Sequence, residues 1–478
     1  MNGRKKIFVM TLVFTLFVTT IMPIINAEEP QIDLHIDAPS FVNEEQPFPV
    51  IVSYFDPKYT HYDPVEDAIV EFNGERYFTN MHGVAIIKAP IVDTDEVLQI
   101  TASHEFFNDN KTSINVNDQT APTIVYVDDD YSSKTSGFGL NQFASIQEGV
   151  DAVADGGQVI VSSGIYQETG IGPSCENVVI GKSIDLIASS EDDRPIIEGS
   201  RLKEGSVINI FADYVRVDSF TIVDSYEYGI CASTSDYHTI IGNLINNCHW
   251  WGISLEYWSD FSTVEENDIR NCNGGIRLMY SSNNTLSRNV VEGNEYGFDI
   301  SESCDNLVSD NSIIDNEYFG LYIAGSNVFG SNRNVITDNL IAQSELGLHF
   351  GYSDDNLIYH NVFIENDQNV FLRDSQSTTN SFDNGTEGNF WDDYNGTDED
   401  GDGIGDTPYL IPGGSSKDRF PLMNHDRIFK FNEKGSTRIT LLSIIDTFMN
   451  NLHNHPLYNT LVFISETLKQ RVEYLRSL

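Results

Sequence analysis

A beat of 22–23 residues constrains this chain more than any other feature. Glycine followed by an apolar residue recurs at Gly229-Ile230, Gly252-Ile253, Gly275-Ile276, Gly297-Phe298 and Gly320-Leu321, in steps of 23, 23, 22 and 23 residues. Gly347-Leu348 follows after 27, and Asn369-Val370 fills the slot 22 residues later. Asparagine keeps the same rhythm ahead of a short apolar run, at Asn243, Asn267, Asn289, Asn311, Asn339 and Asn361. Such self-similarity marks a solenoid, because one repeat cannot bury its apolar face alone and must stack on its neighbours.

No repeat holds the ten or more periodic residues an α-helix would need, which excludes helical repeats and most leucine-rich repeats. Its Val, Ile and Leu runs, separated by Asn, Asp, Gly and Ser, read as strands. In one unit these are Asn289-Val290-Val291, Tyr296 to Ile300 and Ser303 to Leu307. Stacked at about 4.8 Å, each strand finds ladder partners above and below. The fold class is mainly β, a parallel β-helix, with about ten coils over 175–395. Asparagine tolerates left-handed corners, and equivalent Asn amides in register can bond along the axis.

A solenoid needs closed ends. Phe143, Ile146, Val150 and Val153 predict an amphipathic lid helix ended by Asp155-Gly156-Gly157. The beat is missing from 30–118, where alternating short strands and the Asn73-Gly74 turn predict an Ig-like β-sandwich. Residues 1–27 read as a signal peptide, with basic Arg4-Lys5-Lys6, apolar Ile7 to Val18 and the small Ala27. That places the protein outside the cell, at its surface or in a periplasm-like space. The tail, 426–478, carries two helical apolar stripes, through Leu441 and Ile444 and through Leu457 and Leu461. Neither is a membrane span, so the tail is expected to dock on the solenoid end or on a partner.

The formal charge is -45. Such a field excludes nucleic acid as a partner, and a polyanionic ligand would need calcium bridges or a local basic patch. Cys248 and Cys272 sit five residues after Asn243 and Asn267, so they stack in adjacent coils as a bridge or as an inert thiol ladder. The total of five cysteines leaves one over.

Three groups of residues carry chemistry. Asp398, Asp400, Asp402 and Asp406, with Gly403 at the turn and Ile404 offering its carbonyl, match the first part of a calcium loop, although Tyr409 stands where a bidentate Glu would close it. The outward slots two and four residues past each marker Gly form rows. One holds Arg277, Asp299, Tyr322 and His349, and the other holds Glu256 and Arg373. Trp250, Trp251, Tyr257, Trp258 and Tyr280 are expected near one end of this face. Aromatic rings beside polar groups suit a sugar chain, whose apolar faces stack and whose hydroxyls need fixed partners. Glu256 and Asp299 are the candidate acid/base pair. His238, His249, His349 and His360 fall on different offsets, which does not build a copper site. Asn110, Asn283, Asn384 and Asn395 begin N-x-Thr sequons.

Three stretches together resemble NosD-type right-handed β-helix proteins, over about 124–424. They are Ile124-Val125-Tyr126-Val127-Asp128-Asp129-Asp130, the Phe143 to Asp155 lid, and the closing Asn389-Phe390-Trp391-Asp392-Asp393-Tyr394 with Asp400 to Tyr409. The resemblance implies an exported surface protein, a family label of periplasmic copper binding, and a core similar to the carbohydrate-binding and sugar-hydrolase solenoid domain. Tyr296-Gly297-Phe298-Asp299 is similar to mannuronan epimerases, but Ile300-Ser301-Glu302 replaces the Pro-His-Asp that would follow. The region 65–105 resembles archaeal surface Ig-like modules. The expected function is non-catalytic binding of a polysaccharide or surface glycan. The alternatives are a polysaccharide lyase, hydrolase or epimerase, and a copper-binding protein.

Overall fold

The computed structural model describes residues 32–56, 61–167, 178–200, 205–326, 328–372, 379–413 and 415–425. The signal segment, the tail from 426, Cys175 and Arg373 lie outside them. The protein is mainly β, and among the described residues it has one helix, α1 (Ile146–Ala152). The chain divides into two compact units between Gln119 and Thr120.

In the first unit, strand Ile32–Asp37 pairs antiparallel with Pro47–Asp56 and parallel with Phe107–Asn117. Its alternating residues close over one core that includes Val50, Val52, Val70, Phe72, Ile100 and Ile114. Asn73 and Gly74 are both left-handed, at φ 48° and 80°, as a tight hairpin turn between Ile69–Phe72 and Glu75–Phe78 requires.

The second unit is a parallel solenoid. Three sheets of 11, 10 and 9 strands run along it. The first begins at Ile124–Val127, the second at Ile165–Tyr166 and the third at Val178–Ile180. Every described neighbour pair from Gly157–Val161 to Gln368–Leu372 is parallel and in register, so the 22–23-residue beat becomes one rung. Leu278 thus lies between Leu255 and Ile300, all fully buried.

The marker glycines form a column, for a steric reason. None has a positive φ. A Cβ on Gly275 would stand 2.7 Å from the Gly297 carbonyl oxygen and press on Val291, and the same crowding recurs at Gly229 and Gly320. Glycine is needed here for close approach.

The corners follow a rule that the Asn beat shows only in part. Asn243, Asn267, Asn289, Asn311, Asn339, Asn361 and Asn389 are buried, and each Nδ2 but the last donates to the next Oδ1 at 2.9–3.0 Å. From Asn243 to Asn361 the left-handed residue is the one before the asparagine, not the asparagine itself: Gly242 has φ 67°, and Glu266, Arg288, Asp310, Asp338 and His360 have φ of 54°–59°. A second asparagine ladder runs Asn306, Asn334, Asn356, Asn380, and a serine column runs Ser259, Ser281, Ser303. Ser303 to Leu307, expected as a strand, is one of these corners, and the strand starts at Leu307. Cys248 and Cys272 occupy a fourth corner column. No disulfide joins them, and the Cys248 N–H lies 3.3 Å from Cys272 Sγ.

Both ends are closed by polar groups. α1 is N-capped by Ser145 and packs on the first rung. Phe143, expected within it, instead pairs with Val127 as a short strand. The Lys182 ammonium donates to the carbonyls of Asp151 (2.8 Å) and Val153 (3.0 Å) at the helix C-terminus, and burial pulls it down to about 8. At the far end, Asp418 takes the Asn389 N–H at 2.7 Å and the Trp391 indole N–H at 2.9 Å, which ends the ladder. Trp391 is sandwiched between Phe363 and Tyr409, with centroids at 4.4 and 4.5 Å.

Candidate functional site

The third sheet presents the outward rows in the register that the beat predicts. Cys231, Ser254, Arg277, Asp299, Tyr322, His349 and Phe371 align rung by rung. Ser233, Glu256, Met279, Ser301, Ala324 and Gly351 form the parallel row. Parallel pairing without a slip makes equal phase mean equal facing.

Arg277 is the centre of the polar stretch. Its guanidinium lies 3.6 Å from Glu256 Oε1 on the preceding rung and 3.6 Å from Asp299 Oδ2 on the next. Glu256 is only 4 % exposed, and Ser254 Oγ donates to it at 2.9 Å. Ser301 Oγ donates to Asp299 within its own strand. Burial pushes the Asp299 carboxyl up, against Ser301 and Arg277, which act to lower it. Beneath, Tyr228 is raised by burial first and then by the Glu256 charge.

Two aromatic banks flank this trough. Trp251, Gly274, Tyr296 and Phe319 share the slot just before the marker. Gly274 has no side chain, so the Trp251 indole lies across it and stacks on Tyr296 at 6.3 Å. The Arg277 guanidinium sits 5.8 Å from the Trp251 ring, within cation–π range. The row continues from Tyr296 to Phe319 (5.4 Å), to His349 (5.4 Å) and on to Phe371 (5.5 Å), with Tyr322 stacked on Phe319. Past the other strand ends, Tyr257 stacks on Tyr280, and Phe329 meets Tyr280 edge-on at 6.2 Å.

The placement differs from the sequence reading in two ways. The Trp cluster is not at an end of the face: Trp251 lies on the fourth of the nine rungs of the third sheet and Gly274 on the fifth. Trp250 and Trp258 stand at opposite ends of one strand, 43 % and 65 % exposed. Tyr296, Phe319 and Phe329 were not singled out. The first two are legible by the same beat, read one residue earlier than the marker.

The acidic loop brings ligand atoms of Asp398, Asp400 and Asp402 within 4.8 Å of one another. Burial acts to raise Asp398, but the N–H groups of Gly403 (2.9 Å), Gly401 (2.7 Å) and Asp402 (3.2 Å) donate to it and hold it below the ordinary carboxylate range. Asp406 turns to the Glu399 N–H at 2.7 Å, and Ile404 donates its own N–H to Asp402. Asp128, Asp129 and Asp130 make a second such group, which the metal reading did not include.

Copper calls for clustered imidazole or sulfur donors. His238 is tied to Ser235, His360 pairs with Glu387, His249 packs edge-on against Tyr226, and His349 lies in the aromatic row. Among the described residues the three-carboxylate groups are the only close donor clusters, and they contain no His or Cys. The donor set does not fit copper.

Residues 223–396 match the family model described as periplasmic copper-binding protein (NosD). No curated protein matches the chain. Among solved structures, pectate lyase Pel9A is similar at 15% identity and TM-score 0.43, over 56% of this chain and 81% of that one. A rhamnogalacturonan lyase is similar at 10% and 0.40, over 55% and 87%. The A-module of the Azotobacter vinelandii mannuronan C-5 epimerase AlgE6 is similar at 13% and 0.30, over 50% and 93%. Likeness at this level concerns the fold alone.

Proposed function

We propose that this protein, a NosD-type parallel β-helix, binds a carbohydrate chain along its third sheet without cleaving it, outside the cell. The observation that carries the reading is the aromatic row from Trp251 to Phe371 beside the polar trough of Arg277, Asp299 and Ser301. Half-buried rings offer faces to a sugar ring, and groups fixed on strands offer hydroxyl partners at low entropic cost. The rungs repeat at about 4.8 Å, a step commensurate with one sugar unit of an extended chain. Export rests on the basic and apolar segment within residues 1–27.

The non-catalytic part rests on how the carboxylates are engaged. Acid/base cleavage needs two carboxyl groups that reach one glycosidic bond. Glu256 lies beneath the surface, held by Ser254 and Arg277, in the position of an anchor for the guanidinium. Calcium at Asp398, Asp400, Asp402 and the Ile404 carbonyl belongs to the same reading as a brace for the closing end; the converging carboxylates support it.

The test is a glycan array followed by calorimetry on the hits, with product analysis of the same mixtures. Binding without new reducing ends or unsaturated uronates supports the proposal. One observation favours the enzyme alternative: Asp299, held protonated more readily by burial, has the character of a general acid. Product release that disappears in Asp299→Asn would establish that alternative instead.

A further inference from the structure

The electrostatics of the trough bear on which glycans it accepts. Arg277 is the only Lys or Arg on the described third-sheet strands. It already faces two carboxylates, Glu256 and Asp299, at 3.6 Å each. Glu256 and Arg277 cancel, and the ionised form of Asp299 makes the group net negative, with no cation left over. The rims add more of the same sign. Glu295 and Glu345 directly precede their strands, and with Glu317 they line hollows along that edge. Past the opposite strand ends, Glu302 follows Ser301 and lies close enough to Tyr280 to raise its phenol. The chain as a whole carries -45.

A uronate polymer brings a carboxylate on every sugar. Such a ligand needs spare cations or bridging calcium. The trough supplies no spare cation among the described residues; Arg373, which continues the Glu256 row, lies outside them. The three-carboxylate groups, Asp128 to Asp130 and Asp398 to Asp402, lie outside the third sheet. What the trough does supply is ring faces, the Ser301 hydroxyl and the Asp299 carboxylate, the partners of neutral sugar hydroxyls. We infer that the third-sheet trough is selective for an uncharged, hydroxyl-rich glycan and rejects polyuronates. This selectivity rests on the glycan-binding reading above.

The experiment titrates the full chain calorimetrically in chelator-containing buffer. The probes are neutral gluco-, manno- and xylo-oligosaccharides, with oligogalacturonate and oligomannuronate of equal length. At least one neutral series binds, and each uronate binds at least about tenfold more weakly than the best of them. Raising the salt concentration narrows that gap by screening the uronate, while neutral binding stays constant. Asp299→Asn also narrows it, and the salt series on the unaltered protein stands independently if that variant folds poorly. A uronate that binds as tightly as the best neutral series, or a gap indifferent to salt, overturns the selectivity. Binding of neither class overturns the glycan-binding reading itself, and the selectivity with it.

Discussion

The Trp251 indole reaches across Gly274 to stack on Tyr296 two rungs away, with centroids 6.3 Å apart and planes inclined by 26°. Two ring-bearing rungs are joined because the rung between them has no side chain. A methyl group at Gly274 would occupy the space of Cε3 and Cζ3 of the indole. Gly274→Ala therefore displaces Trp251 while the backbone ladder keeps its register. The expected result is altered near-ultraviolet circular dichroism and weakened glycan binding, with the unfolding temperature changed by only a few degrees.

The asparagine ladder makes a sharper stability prediction. Asn311 accepts from both the backbone N–H (2.9 Å) and Nδ2 (3.0 Å) of Asn289. Asn311→Ala leaves two buried donors without an acceptor and costs about 2–5 kcal/mol. The exposed Asn395→Ala should cost nearly nothing, and urea denaturation of the two variants side by side checks the contrast.

How far the sequence carried can be seen in these same residues. The beat located seven of the nine third-sheet rungs, all but Val178–Ile180 and Ile208–Ile210, because a parallel solenoid repeats one constraint without register slips: the close approach of Gly275 to the Gly297 carbonyl recurs down the column. The Asn beat located one ladder. It did not reveal that the left-handed residue precedes the asparagine, because Glu266, Arg288 and His360 have nothing in common but that position. The second ladder was missed where Ser303 to Leu307 looked like a strand by apolar content alone. At the site, the rows of Arg277, Asp299 and Tyr322 were legible by phase. Tyr296 and Phe319 were not singled out, because their importance comes from the Trp251 ring lying over an empty slot, which is a packing fact.

His238 gives the solenoid a pH dependence. Burial pulls it down from 6.5 to about 4, with Ser235 its hydrogen-bond partner. The unfolded chain therefore binds a proton that the folded chain refuses between those values. Stability from this group is full above pH 6.5 and is lost as the pH falls through the window, on the order of 3 kcal/mol in total. His238→Gln should flatten that part of the profile, and denaturant midpoints of both proteins from pH 7 to 4 test it.

Calcium should raise the unfolding temperature of the protein if the loop braces the closing end. At a hundredfold excess over its Kd the gain is about 2.7 kcal/mol. The gain should vanish in Asp398→Asn, whose side chain loses one of the three converging carboxylates. Equal shifts in the variant, or none in either protein, would remove calcium from the account.

Calorimetric titration of the array-selected oligosaccharide into the wild-type protein and Trp251→Ala tests the central claim most directly. The account predicts binding to the wild type with no product formed, and at least a tenfold loss in Trp251→Ala at nearly unchanged unfolding temperature. Undiminished affinity in Trp251→Ala would contradict the third sheet as the binding face.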